Sequence, residues 1–256
     1  MKKKIAPMIL LLILVIQSCT TRKQMLYLQD VDDFSNTMVN YSTTKIQPND
    51  VLKIDISDLN PIVAAPFNTN NGSSSGQTSV EMMKLTGYLV TPSGTITLPI
   101  LNEINVVGLN PIGLESKIKA RLINEGYLVN PTVQVRVVNN KFTILGEVNS
   151  PGVIPFTEES VSLLDAIALA KDLTYSAIRK DVKIIRELDG KRLVYHVDLT
   201  TASWMSNPDY RIRQNDVIVV TPNKLKANSG GVIKDPIQLL GVGISLVAVI
   251  LLLRKS

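Results

Sequence analysis

Three residue types are almost missing from this 256-residue sequence: it holds one cysteine, one histidine and one tryptophan. A single Cys forms no internal disulfide and no CxxC zinc or thiol-redox motif, and a single His supplies no histidine cluster for a metal. Aromatic residues make up only 5%. Nowhere do they interleave with a stripe of Lys and Arg, so no nucleic-acid footprint is present. No P-loop, GxGxxG or Gly-x-Ser-x-Gly phrase occurs either. Apolar residues, by contrast, are plentiful: 45% of the chain, with a mean hydropathy of +0.18 against 19% charged residues. That composition excludes disorder for most of the chain, and the length suffices for one large or two ordinary domains with buried cores.

The apolar surplus sits at the two ends. Lys2-Lys3-Lys4 precedes an apolar run from Ile5 to Ile16, which has the basic and hydrophobic regions of a secretory signal peptide and is too short for a stable bilayer span. The run closes on Ile16-Gln17-Ser18-Cys19. A lone Cys after a small residue at that point resembles a bacterial lipobox, which implies cleavage after residue 18 and acylation of Cys19. Each buried CH₂ contributes about 0.8 kcal/mol, so several acyl chains anchor a protein stably. Cleavage removes three lysines and leaves 24 basic against 22 acidic residues, so the formal charge falls from +5 to +2.

At the other end, Pro236 to Leu253 carries no charge. Eighteen helical residues span about 27 Å, which suits a thin bacterial outer membrane. Gly241 and Ser245 have small-xxx-small spacing for close helix approach; a single lipid-embedded anchor is the equal alternative. Arg254-Lys255 would suit an inner-membrane helix with a cytoplasmic end, whereas Thr20 after the Cys, in place of an Asp, fits outer-membrane sorting. The chain is thus expected to meet membrane at both ends.

Between them, residues 19–45 read as a polar tether and residues 68–79 as a low-complexity loop. Pro48-Asn49-Asp50 is turn chemistry ahead of a β-type run, Val51 to Ile56. Gly87–Val90 and Thr95–Pro99 read as a hairpin around Thr91-Pro92-Ser93-Gly94. Asn110-Pro111 opens a helix with Leu114, Ile118 and Leu122 on one face, ended by Gly126. Pro131–Val138 alternates as a half-buried strand. A second unit repeats strand, Pro-Gly turn and strand over Lys141–Phe156. Ser160 is read as capping a helix that places Val161, Leu164, Ile167 and Ala168 on one face. Val182–Arg186, the Asp189-Gly190 turn, Leu193–Val197 and Asp216–Val220 complete it. The fold class expected is α+β.

Isolated residues invite catalytic readings. Glu147 and Asp165 have no partner that sequence places beside them, and an acid–base pair needs two carboxylates at a set separation. His196 lies in an alternating strand. Trp204 reads as a hydrophobic plug under a loop, with sugar stacking as the alternative. No catalytic, metal or cofactor site is expected, and no enzyme activity.

An ordered series of phrases carries more. Ile46-Gln-Pro-Asn-Asp-Val-Leu-Lys-Ile54, Gly94-Thr-Ile-Thr-Leu-Pro-Ile100, Val107-Gly-Leu109, Pro131-Thr-Val-Gln-Val135, Leu145-Gly-Glu-Val148 with Pro151-Gly152, Leu164-Asp-Ala-Ile167 and Asp216-Val-Ile-Val-Val-Thr-Pro222 resemble bacterial polysaccharide biosynthesis/export lipoproteins of the outer-membrane, Wza-like type. The resemblance implies a signal peptide (1–18), a lipidated tether (19–45), a polysaccharide-export domain (46–139), one soluble-ligand-binding β-grasp domain (140–222), a linker (223–235) and a transmembrane helix (236–253). It further implies a homo-oligomeric ring that passes polysaccharide across the outer membrane. The partner implied is an inner-membrane co-polymerase of the tyrosine-autokinase type. The competing reading is a non-conducting glycan-binding lipoprotein of the periplasm or surface. A channel-lining helix wants a polar stripe, and 236–253 offers only Gln238, Ser245 and glycine backbone, so it either lines a wide pore or only anchors the ring.

Overall fold

The computed structural model describes residues 25–34, 38, 43–68, 80–188 and 190–228. Cys19, Gly241, Ser245 and the expected membrane helix at 236–253 lie outside them. Among the described residues no helix is long and apolar enough to cross a membrane.

The first domain is built on a three-stranded antiparallel sheet, in the order β2 (Tyr88–Leu89), β1 (Val51–Ser57), β5 (Thr132–Val137). Alternation along β1 and β5 turns Leu52, Ile54, Ile56, Val133 and Val135 inward, as the two-residue period of a strand requires. Two short helices, α1 (Pro61–Ala64) and α2 (Val80–Thr86), precede β2. Helix α3 (Pro111–Asn124) then covers the sheet. Its start is as the sequence predicts: the Asn110 side chain accepts from the Gly113 N–H, with Pro111 in the first turn. Leu114, Ile118 and Leu122 are fully buried, each contributing about 1.5–3 kcal/mol relative to exposure. Gly126, at φ +74°, ends the helix in the left-handed conformation that glycine adopts without strain.

The hairpin expectation fails in its pairing. The Thr91–Gly94 turn forms, closed by bonds from the Gly94 N–H to the Thr91 carbonyl and from the Thr91 N–H to the Thr95 carbonyl. The strands it joins part company, however: β2 pairs with β1, while β3 (Thr95–Leu98) pairs with β4 (Asn102–Asn105). Local turn chemistry set the reversal, and burial of Ile96, Leu98 and Ile104 in the common core set the partners.

The second domain is a five-stranded mixed sheet ordered β7 (Gly152–Pro155), β6 (Lys141–Gly146), β10 (Val217–Pro222), β8 (Ala177–Leu188), β9 (Lys191–Val197). β6 and β10 are parallel; the other neighbours are antiparallel. Gly146 is required where they meet: at φ +94°, an added Cβ would lie 2.0 Å from the Val220 carbonyl oxygen. Helix α4 (Leu163–Leu169) packs on this sheet and is capped by Ser162, not Ser160. Ser162 and Asp165 form a reciprocal capping box, and Leu163, Ala166 and Ile167 are the residues buried. Val161 instead bridges Ile212 in extended backbone. A last short helix, α5 (Lys224–Asn228), follows β10.

Part of the stretch read as a tether is folded against this domain. The N–H groups of Leu28 and Gln29 donate to the carbonyls of Leu199 and Thr200, and Asp30 Oδ1 accepts from the Ala202 N–H. Tyr27 donates to Asp172 Oδ1 at 2.6 Å beneath the Arg179 guanidinium. Burial, reinforced by the Asp172 carboxylate, pushes the Tyr27 hydroxyl up to about 12. Polar composition concealed this because the strap docks through backbone bonds and the side chains of Tyr27 and Asp30, not through an apolar run.

Candidate functional site

Each domain opens one strand with the same loop. In the first, Gln47-Pro48-Asn49-Asp50 leads into β1; in the second, Arg213-Gln214-Asn215-Asp216 leads into β10. Both asparagines are left-handed, at φ +70° and +63°, a conformation Asn tolerates better than most residues. Asp50 Oδ2 accepts from the Gln47 N–H at 2.9 Å, and Asp216 Oδ2 from the Arg213 N–H at 2.7 Å. Each Asn N–H donates to a neighbouring segment, Asn49 to the Val90 carbonyl and Asn215 to the Lys141 carbonyl. Each Asp carbonyl accepts in return, from the N–H of Val90 and of Thr143.

The two aspartates are then completed differently. Asp216, wholly buried, holds the buried Arg186 through two bonds, to Nε at 2.9 Å and Nη2 at 2.7 Å. Arg186 also donates to the carbonyls of Asp209 and Arg211. Burial alone would lower the Arg186 guanidinium, but the bonds and charge of Asp216 outweigh it and hold it above its ordinary value. Asp50 is 1% exposed and has no cation bonded to its carboxylate among the described residues; its Oδ1 accepts from the Gln214 amide of the second loop at 2.7 Å. Burial pushes the Asp50 carboxyl up to about 6, against the opposing hydrogen bonds from Gln47 and Gln214. The two loops therefore meet, and Asp50–Gln214 joins the domains.

The connecting dipeptide reinforces the joint. Asn139 Oδ1 accepts from the Val51 N–H and its amide donates to the Asn49 carbonyl, both at 2.9 Å. Asn140 faces the other way and donates to the Glu158 carbonyl. Thr43 and Thr44 tie in a further strand of chain, to Asn110 and to the Glu159 carbonyl. Beside this junction lies a cleft of about 480 Å³ along the free edge of β5, with Lys45, Ile112, Glu115, Arg136, Phe156 and Gln214 among its walls. Glu115 reaches from α3 to accept the Val135 N–H of that edge, which blunts it against pairing with another strand.

Residues singled out in the sequence as catalytic alternatives are satisfied where they stand. Glu147 accepts from the Thr174 hydroxyl at 2.6 Å, Asp165 serves the α4 cap, and His196 sits exposed on β9 against Asp181. Trp204 is buried, its indole N–H donating to the Thr201 carbonyl and its ring edge-on to Tyr210. The structure brings none of these four into one cluster, and no metal-binding group of His, Cys, Asp and Glu occurs among the described residues. The junction residues Gln214, Asn139 and Asn140 went unremarked in the sequence. The duplicated Asn-Asp-Val ahead of each apolar strand was the available clue.

Comparison with known proteins matches both halves. Residues 39–138 match the model for polysaccharide biosynthesis/export proteins, and residues 140–220 match the SLBB domain. Both halves of the chain are thus similar to families that occur in polysaccharide biosynthesis and export proteins. The chain is 30% identical over 196 residues to the capsule polysaccharide export outer membrane protein CtrA of Neisseria meningitidis serogroup A, covering 75% of this chain and 48% of the relative. It is 26% identical over 198 residues to the capsule polysaccharide export protein BexD of Haemophilus influenzae, covering 76% of this chain and 48% of the relative. The chain spans about half the length of these curated relatives.

Proposed function

We propose that this chain is an outer-membrane lipoprotein subunit of an oligomeric channel exporting capsular or extracellular polysaccharide. The observation that carries the reading is the succession of a polysaccharide-export domain and an SLBB domain, 39–138 and 140–220, combined with similarity to proteins named for capsule polysaccharide export, CtrA among them named as an outer membrane protein. In this reading Cys19 carries the lipid and residues 236–253 cross the membrane. Copies of the chain form a ring, and an inner-membrane polysaccharide co-polymerase of the tyrosine-autokinase type delivers the glycan. The chain's own part is structural: a hydrogen-bonded junction fixes one domain on the other, as a ring wall needs if it is to stay closed under load. No chemical step is assigned to it.

Deleting residues 236–256 tests the channel directly. The truncated protein should remain folded and membrane-bound through Cys19 while polysaccharide export is lost; export that survives the deletion defeats the conduit. Mass measurement of the detergent-solubilised full chain gives the second arm. A closed ring of many subunits supports conduction, and a monomer points to a non-conducting glycan-binding lipoprotein.

A further inference from the structure

The two directions in which the chain leaves the second domain converge. On the N-terminal side, Tyr27 is clamped by Asp172 and Arg179. On the C-terminal side, Pro222 pairs with Ala177 and the Asn223 N–H donates to the Ser176 carbonyl at 2.7 Å. Asp172 and Ser176 belong to one loop, Ala170–Ser176, between α4 and β8. That loop lies far from the first domain, because β10 starts at the Asp216 loop on the junction and reaches Ala177 only at its last residue, about 20 Å along. At the loop's tip Tyr175 is 86% exposed, and Leu169 just before the loop is half-exposed. Lys171 lies in the same loop, and Lys224 and Lys226 follow on α5.

We propose that this far end of the second domain rests on the bilayer surface, with the Ala170–Ser176 loop in the lipid headgroup layer and Tyr175 as its interfacial side chain. The proposal rests on the reading of Cys19 and residues 236–253 as membrane attachments. Reach decides the orientation. Six residue-to-residue steps lead from Cys19 to Met25, about 20 Å of chain at full extension, and eight lead from Asn228 to Pro236, about 28 Å. The surface around the loop lies within range of both attachments. Leu59, beyond the end of β1, is a further strand length away past the junction, about 20 Å. The chemistry agrees with the geometry: tyrosine has an apolar ring and a polar tip that suit the headgroup level, and lysines beside it meet lipid phosphates.

The test uses the full acylated chain in phosphatidylethanolamine/phosphatidylglycerol vesicles, some carrying a headgroup nitroxide quencher. Acylated Cys19 leaves an introduced cysteine as the free thiol, so a fluorophore is placed either at Ser150→Cys, in the turn that bonds to Ala170, or at Leu59→Cys. Flotation is measured first. Flotation with several-fold stronger quenching at position 150 than at 59 supports the orientation. Flotation with equal or reversed quenching overturns it while leaving the anchorage intact. Failure to float overturns the anchorage reading, and the orientation with it. Adding Tyr175→Ser to the position-150 reporter isolates the side chain: quenching should fall, and an unchanged value removes Tyr175 from the role.

Discussion

The loops ending in Asp50 and Asp216 share their backbone turn, their left-handed asparagine and four hydrogen bonds, and differ in the partner of the carboxylate. Asp216 faces a cation of its own domain, and Asp50 faces a neutral amide of the other domain. A buried carboxylate bonded twice to a guanidinium is a fixed point: neither ion can leave without stranding the other. A buried carboxylate held by an amide is costly to keep charged, because nothing offsets its lost hydration except hydrogen bonds. The same local fold therefore makes a permanent staple inside one domain and an adjustable bond between two. Which it becomes depends on one side chain that is distant in sequence, Arg186 in one case and Gln214 in the other.

The largest break in this comparison should come from the staple. Asp216→Ala leaves Arg186 buried without its counter-charge and should cost about 3–5 kcal/mol, read by chemical denaturation with buried Trp204 as the probe. Adding Arg186→Met should recover part of the loss by removing the stranded charge. Recovery stays incomplete, because the carbonyls of Asp209 and Arg211 lose their donors. A single variant that costs no more than an exposed pair would deny the staple its role.

At Asp50 the sign is opposite. Its carboxyl titrates at 3.8 unfolded and at about 6 folded, so between those values the folded protein holds more protons than the unfolded chain. Stability from this group is complete below about pH 4 and is lost as pH rises through 6, a swing of about 2–3 kcal/mol. Asp50→Asn should remove that swing and leave the protein more stable at pH 7 by a similar amount. The Asn oxygen can accept from Gln47, and its amide can donate to Gln214 once the latter turns over. Thermal unfolding of both proteins at pH 5 and pH 7 checks this; a parallel pH response in the two would rule Asp50 out as the titrating group.

Removing the amide instead sharpens the contrast. Gln214→Ala deprives Asp50 Oδ1 of its donor and should cost about 1–3 kcal/mol at pH 7. It should also extend the pH-sensitive range upward, because one of the two bonds holding the carboxyl down is gone. Asp216 and Arg186 keep all their partners, so the loss at pH 5 should be smaller than at pH 7. Equal losses at both would show that Gln214 acts by packing alone.

Much of this was legible in the sequence because it is local. The Asn110-Pro111 start, the Leu114/Ile118/Leu122 face and the alternation in β5 each depend on residues within one or two turns of chain. What escaped was non-local. β3 chose β4 over β2 through a shared core, and the strap at Tyr27 found Asp172 across 145 residues. Asp50 found Gln214 across 164. The cap of α4 moved from Ser160 to Ser162 because Val161 was drawn into a bridge with Ile212. The two Asn-Asp loops were each readable as turns; that one leans on the other is a property of the assembled domains.

The smallest prediction asks whether the loops are equivalent where they should be. Asn49 and Asn215 hold left-handed backbone at φ +70° and +63°, a region that costs an ordinary L-residue about 1–2 kcal/mol and Asn less. Asn49→Ala and Asn215→Ala should each destabilise by about 1 kcal/mol, and the glycine variants by only a few tenths, since glycine enters this region freely. Neither pair should alter the pH dependence, because both aspartates keep their carboxylate partners. Equal costs at the two positions place the whole difference between the loops in Arg186 and Gln214. A markedly larger cost at Asn49, whose carbonyl also receives the Asn139 amide, would mean that the interdomain loop depends on its backbone conformation as well as on its carboxylate.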